Sequence, residues 1–367
     1  MKAIVIGAGV VGASVAYRLA QAGVSVTVLE AERVGAGTSG ISFAWTNSNS
    51  KAPRSYHDLN VAGMQAHAAL QEEFGRAPWF HRKGCLEFER SEDGQRDLAA
   101  KVERLRAWGY PAEWIGRDRL LAMEPDLDPA MVPDVPIAWY PDDGWLDPVV
   151  YANAMIKAAQ GLGAELRCGV RVAGLLMRGD RVAGVRTADG ATVEADMVVN
   201  CAGRWSDKVG EDPGIRLPLA PTIGFLVFTP PVATSVDHLV LTPDINLRPD
   251  GAGRLMLHKK ELDDLVTLDM TPLPTMPEAA EVMARAAELI PALARVRPEA
   301  ARIAVRPIPK DGLSAIGPVP RVEGYYLVVT HSGVTLSPFL AKAVADEIAG
   351  GKLRSEFETV RPARFFN

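Results

Sequence analysis

Cysteine is scarce in this chain: three residues in 367, Cys85, Cys168 and Cys201, with no CxxC pair among them. That spacing excludes a disulfide framework and the usual cysteine patterns of zinc or iron–sulfur sites, and it points to a reducing cytoplasm. Histidine is also sparse, with six residues (57, 67, 81, 238, 258, 331) never at metal-ligand spacing, so no metal is expected. Basic charge is not in excess: 40 Lys and Arg against 45 Asp and Glu leave a net charge of −5, without the electrostatic footprint of a nucleic-acid binder. No run approaches the ~18 apolar residues of a membrane span. The first apolar stretch, Ala3 to Ile6, flows straight into glycine, so a secretory leader is not expected either. The patterns GxxxxGK[ST] and GxSxG are absent, which removes a P-loop enzyme and a nucleophile-elbow hydrolase. There is no internal repeat and no low-complexity tract. At 48% hydrophobic and 23% charged, the chain suits two globular domains of roughly 100–200 residues each.

What is present is concentrated first at the N-terminus. Lys2 to Ile6 is short, apolar and β-branched and stops at Gly7, which predicts a buried strand. Gly7-Ala8-Gly9-Val10-Val11-Gly12 follows, then a small-residue amphipathic helix from Ala13 to Ala22, closed by Gly23. Val24 to Leu29 predicts a second strand, ending at Glu30. Gly7 permits a tight turn, Gly9 lets the backbone approach a pyrophosphate, and Gly12 lets the helix pack on the strand. The helix N-terminus offers free N–H groups and a partial positive charge. Glu30 stands where a carboxylate accepts from both ribose hydroxyls and repels a 2′-phosphate. Together these features predict a dinucleotide-binding unit, without deciding between FAD and NAD.

Three later segments decide it. Gly35-Ala36-Gly37-Thr38-Ser39-Gly40 is followed by the polar run Trp45-Thr46-Asn47-Ser48-Asn49. Gly163 to Gly203 carries period-2 apolar positions at Val170, Val172, Val182, Val185 and Val193, broken by Arg178-Gly179-Asp180 and Ala188-Asp189-Gly190. That predicts a β-meander leading into Asn200-Cys201-Ala202-Gly203-Arg204-Trp205-Ser206. Near the end, Arg306-Pro307-Ile308-Pro309-Lys310-Asp311-Gly312 precedes a strand, Tyr325 to Val329. The turn His331 to Pro338 and a helix from Phe339 to Ala349 follow. Over nearly its whole length the chain resembles the D-amino-acid oxidase, glycine oxidase and sarcosine oxidase family of FAD-dependent oxidoreductases.

The resemblance implies an α/β fold with two domains. A Rossmann-type, glutathione-reductase-like FAD-binding domain would take residues 1–80, 145–212 and 303–367. A second, α+β substrate domain on a largely antiparallel sheet would take 81–144 and 213–302. Amphipathic helices are expected over Leu98 to Trp108 and Glu278 to Ile290, and Met123-Glu124-Pro125 and Asp142 to Pro148 are assigned to turns. By resemblance, Gly7, Gly9, Val11, Gly12, Glu30 and Ala31 hold the cofactor in the first unit. Thr38 and Ser39 would lie beneath the diphosphate and cap the following helix. Thr46, Asn47 and Ser48 would pass along the isoalloxazine, and Val172 would meet the adenine. Cys201, Ala202, Gly203 and Trp205 form the returning turn, Cys201 as a packed small hydrophobe and not a reactive thiol. Gly333, Val334, Thr335 and Leu336 would present helix N–H groups to the flavin edge where reduction places negative charge. A chain binding only NAD would have no use for this last element. Relatives attach flavin through a cysteine or a histidine at two places where this chain has Ala304 and Gly40-Ile41-Ser42, so FAD is expected to be non-covalent.

Oxidation of an amine by flavin moves a hydride from the α-carbon to N5 and leaves an imine for water to hydrolyse, while the protein orients the reactants. A guanidinium grips a carboxylate bidentately and so fixes that geometry. By resemblance this arginine is Arg306, with Arg302, earlier on the same strand face, as competitor. Asn246 stands where glycine oxidases place a tyrosine, and His258 where the paired strand ends in a small residue, which suggests a more polar substrate. His331, beside the expected flavin edge, is a further catalytic candidate. The implied reaction is dehydrogenation of an amino acid or secondary amine, with oxygen or another acceptor taking the electrons. A dehydrogenase serving a quinone or partner protein, a flavin-dependent hydroxylase and a non-catalytic flavin binder stay open, as does oligomerisation.

Overall fold

The computed structural model describes residues 1–209 and 215–366, so the expected domain boundary at 212/213 lies outside the described residues. Strand β1 (Lys2–Ile6), buried beyond Lys2, enters Gly7 at φ 96° and passes into helix α1 (Val10–Gln21). The helix starts three residues before the expected Ala13, because extended Gly9 serves as its N-cap. Strand β2 (Ser25–Glu30) returns parallel to β1, placing Ile6 opposite Leu29.

These two strands sit within a six-stranded sheet ordered Ala315–Pro318, Tyr325–Val329, Met197–Asn200, β1, β2, Glu165–Cys168. It is parallel except at the Ala315–Pro318 edge. The inner strands read as continuous apolar runs because helices cover the sheet, with α1 packed between the Pro148–Gly161 and Gly333–Gly350 helices. The expected meander is confined to three antiparallel strands, Val172–Arg178, Arg181–Thr187 and Thr192–Glu194; Glu165–Cys168 instead joins β2 in parallel.

The other large sheet has eight strands, ordered Ala300–Pro309, Leu219–Phe228, Leu255–His258, Asn246–Pro249, Leu239–Leu241, Cys85–Glu87, Ile137–Tyr140, Glu113–Ile115. It is antiparallel apart from the Leu239–Leu241 and Cys85–Glu87 pair. The Pro277–Leu289 helix buries Ala279, Val282, Met283, Ala286 and Leu289, at the i, i+3, i+4 spacing of one apolar face, in the core beneath it. The Ala300–Pro309 strand runs through the expected boundary at 302/303 and sets Arg306 opposite Thr222.

The last helix begins at Gly333, not at the expected Phe339, and carries Pro338 inside it. A proline has no N–H for the carbonyl four residues back, here Val334. His67, on helix α2 (Arg54–Glu73), donates its Nε2–H to that carbonyl at 2.7 Å. Burial pulls the His67 pKa down to about 4, so the ring is neutral. A Cβ on Gly63 of α2 would lie 2.4 Å from the Thr335 carbonyl oxygen, which shows how closely the two helices approach. No helix among the described residues is long and apolar enough to cross a membrane.

Candidate active site

A cavity of about 700 Å³ opens at the carboxyl ends of the parallel strands and is closed on its far side by the eight-stranded sheet. Open α/β sheets bind ligands at such strand ends.

At the first-unit end, Gly7, Gly9, Val11, Glu30, Ala31 and Val172 all line the cavity. The Glu30 carboxylate is held by two backbone donors, Ala8 N–H on Oε2 and Glu32 N–H on Oε1, each at 2.8 Å. Gly12 does not reach the cavity; a Cβ there would stand 2.0 Å from the Gly7 carbonyl oxygen, so its smallness serves packing. Ser39 and Thr38 line the wall, but they do not cap the following helix as expected. They lie within a short 3₁₀ turn (Thr38–Ile41), and their hydroxyls are engaged elsewhere. The Ser39 hydroxyl accepts from Val10 N–H of α1 at 3.1 Å, and Thr38 donates to the Val305 carbonyl at 2.6 Å.

The run Trp45 to Asn49 is inside the molecule: Thr46, Asn47, Ser48 and Asn49 are all buried. Trp45 and Asn47 line the cavity, whereas Thr46 and Ser48, expected along the cofactor, do not. Trp45 and Thr46 pair with Trp145 and Gly144, and strand alternation turns Thr46 to the other face. The Ser48 hydroxyl is taken by His57 Nδ1 at 2.8 Å. Asp143 anchors the run, accepting from Trp45 Nε1 at 2.9 Å, from Asn49 Nδ2 at 3.1 Å and from the Tyr110 hydroxyl. Burial pushes the Asp143 pKa up to about 8.

The returning turn brings Cys201, Ala202, Gly203 and Trp205 to the cavity, with burial raising the Cys201 pKa well above the ordinary thiol value. From the last helix, Gly333, Val334 and Thr335 line it. Leu336 does not: the ~100° step per residue of a helix carries it into the core, fully buried.

The opposite wall gathers Asn246, His258 and Arg306, and His331 lines the cavity just ahead of the last helix. Asn246 and His258 are direct register partners on adjacent strands. Arg306 Nη2 donates to the Ile223 carbonyl at 2.6 Å and lies 3.4 Å from Asp263 Oδ2. Asp263, only 8% exposed, also accepts from Phe225 N–H at 2.7 Å and sits 3.2 Å from His258 Nε2. Arg302 is not at the wall; its guanidinium lies over the Phe228 ring at 4.6 Å and donates to the Gly40 carbonyl at 3.1 Å. Burial, reinforced by the nearby charges of Lys51 and Arg306, lowers the His331 pKa to about 3, so this ring is neutral. Lys51, which sequence reasoning passed over, also lines the cavity, and burial together with Arg306 lowers its pKa to about 8. Asp263 was also passed over, and Asp143 was read only as part of a turn, because the Arg306, Trp45 and Asn49 partners of these acids are distant in sequence.

The lining fits FAD. A helix N-terminus and a fixed carboxylate stand at one end, and Asn47, with its Oδ1 buried without a partner, stands at the wall beside the last helix. Comparison with known proteins agrees. A family model described as FAD dependent oxidoreductase matches residues 2–347. The chain is 26% identical to hydrogen cyanide synthase subunit HcnC of Pseudomonas aeruginosa over 370 residues, covering 89% of this chain and 87% of that protein. It is likewise 26% identical to a glycine oxidase of Pseudomonas aeruginosa, with 95% of each covered. The fold is shared with the crystal structure of glycine oxidase from Geobacillus kaustophilus, at a TM-score of 0.86 and 24% identity over 99% of this chain and 98% of that one.

Proposed function

Because the chain belongs to the FAD dependent oxidoreductase family, its model matching residues 2–347, we propose that it dehydrogenates the C–N bond of an amine that carries a carboxylate, an amino acid or a secondary amine acid. The observation that carries this reading is Arg306 at the cavity wall, its guanidinium steadied by the Ile223 carbonyl and Asp263 and part-exposed to the cavity. FAD, non-covalently bound along Glu30, Gly9, Ser39, Ala202 and the Gly333–Thr335 turn, would supply the two-electron acceptor for that bond.

The chain's own residues would do the rest. Arg306 would fix the substrate carboxylate and with it the position of the α-carbon. His331, neutral at physiological pH, offers a hydrogen bond without adding charge to the wall. Asn246 and His258 supply polar contacts where a glycine-sized pocket would need none, which favours a substrate more polar than glycine. In this reading residues 1–80, 145–212 and 303–367 serve the cofactor and 81–144 and 213–302 the substrate, the Ala300–Pro309 strand being common to both.

The test is anaerobic bleaching of the flavin in the purified holoenzyme against a library of amines. Amino acids or secondary amine acids should bleach it and NADPH should not; admitting air or a quinone analogue then identifies the acceptor. Bleaching by NADPH alone, or by no amine at all, would refute the reading.

A further inference from the structure

Lys51 follows the buried residues Thr46 to Asn49 and lines the cavity together with Arg306 and His331, close enough for its charge to act on His331 and for that of Arg306 to act on it. The charge balance there is uneven. Arg306 has a fixed carboxylate within 3.4 Å, Asp263, which itself is held by Phe225 N–H and borders His258. Lys51 has no acid, carbonyl or hydroxyl partner for its ammonium among the described residues; the charged group acting on it is Arg306, and the titratable ring beside it, His331, is neutral. With Arg306 and Asp263 cancelling, the ammonium leaves this end of the cavity with one unbalanced positive charge. An unpaired ammonium in a largely covered site is unfavourable, and a single carboxylate placed between it and Arg306 removes the imbalance.

We propose that Lys51 and Arg306 jointly grip the substrate carboxylate, and that Lys51 is the residue which makes the site require an anion. This rests on the reading of Arg306 given above and assigns the second half of the clamp. The two groups differ in kind: the guanidinium is braced and directional, while the ammonium is a point charge on a flexible stem. Arg306 thus sets orientation, and Lys51 sets the demand for charge.

Burial, with the Arg306 charge nearby, lowers the Lys51 pKa to about 8. Below that pH the ammonium is in place; above it, binding a carboxylate must take up a proton, and affinity should fall by up to about tenfold per pH unit.

The experiment titrates the FAD-loaded enzyme with acetate, and with acetamide as a neutral match in shape, following the flavin absorbance from pH 6.5 to 9.5. Wild-type acetate affinity should decline above about pH 8 while acetamide affinity stays level. Lys51→Met should weaken acetate by roughly tenfold to a hundredfold, abolish the pH dependence and leave acetamide and FAD retention unchanged. Lys51→Arg should restore acetate binding and carry it without decline to pH 9.5. Wild-type acetate affinity and pH profile in Lys51→Met would overturn the proposal. So would equal losses of acetate and acetamide, or loss of FAD retention, either of which makes Lys51 a structural or cofactor contact. If Arg306→Ala weakens acetate and Lys51→Met does not, this inference alone fails; if neither variant weakens it, the carboxylate reading of Arg306 fails as well.

Discussion

Arg306 is tied on one side and open on the other. Its Nη2 is committed to the Ile223 carbonyl and to Asp263, while its side chain stays 39% exposed toward the cavity. Removing one partner of a buried charged pair costs about 2–5 kcal/mol, so Arg306→Ala should lower kcat/KM by roughly 30-fold to several thousand-fold. Arg306→Lys should recover part of that, since an ammonium cannot make the two-pronged contact. Arg302→Ala should change kcat/KM little, because Arg302 is spent on Phe228 and Gly40. Steady-state kinetics with the best bleaching substrate decides it, and a crippled Arg302 variant beside an active Arg306 variant would reverse the assignment. Arg306 was legible in the sequence because Pro307 and the Asp311-Gly312 turn frame it. The places of Asp263 and Lys51 were not, because they follow from the fold alone: Asp263 meets Arg306 across 43 residues of chain, and nothing local to Lys51 marks it as lining the cavity.

The Asn246–Pro249 and Leu255–His258 strands set two polar side chains opposite one another on the cavity wall. His258→Gly and Asn246→Tyr should each change the ranking of substrates by kcat/KM while FAD occupancy is kept. An unchanged ranking in both variants would place these residues outside the selectivity surface. This pairing was readable through the family resemblance, which lays both segments side by side. The start of the last helix was not. Pro338 reads as a barrier to helix, yet the carbonyl it leaves free is answered by His67 from another helix, a tertiary repair that no local pattern encodes. The Trp45 to Asn49 run is the same case. Its last four residues are buried although they look like surface loop, and Asp143, nearly a hundred positions away, supplies the acceptor for Trp45 and Asn49.

At the scale of the molecule, the cavity has walls on both large sheets, and neither place where relatives attach flavin carries a cysteine or histidine: Ala304 lines the wall, and Gly40-Ile41-Ser42 occupies the other. Acid precipitation of the holoenzyme should therefore leave the yellow colour in the supernatant, and colour in the pellet would contradict it. The first βαβ unit was legible from its glycines and strand pattern, and the rest of the architecture only through the family resemblance that the later motifs carry. The joint between the two sheets was not, since Ala300–Pro309 is one unbroken strand in which the sequence marks no boundary.

The six-stranded sheet also has a history in time. Met197–Asn200 gains β1 as a neighbour from residues made early, but its other neighbour, Tyr325–Val329, lies more than a hundred positions later. During synthesis that strand would wait with one edge unpaired, and an open edge is a template for wrong pairing. The cofactor wall formed by Gly333–Thr335 arrives later still. FAD capture that uses this wall is thus expected only at the end of translation or after it, and a chain halted before Gly333 should retain no flavin.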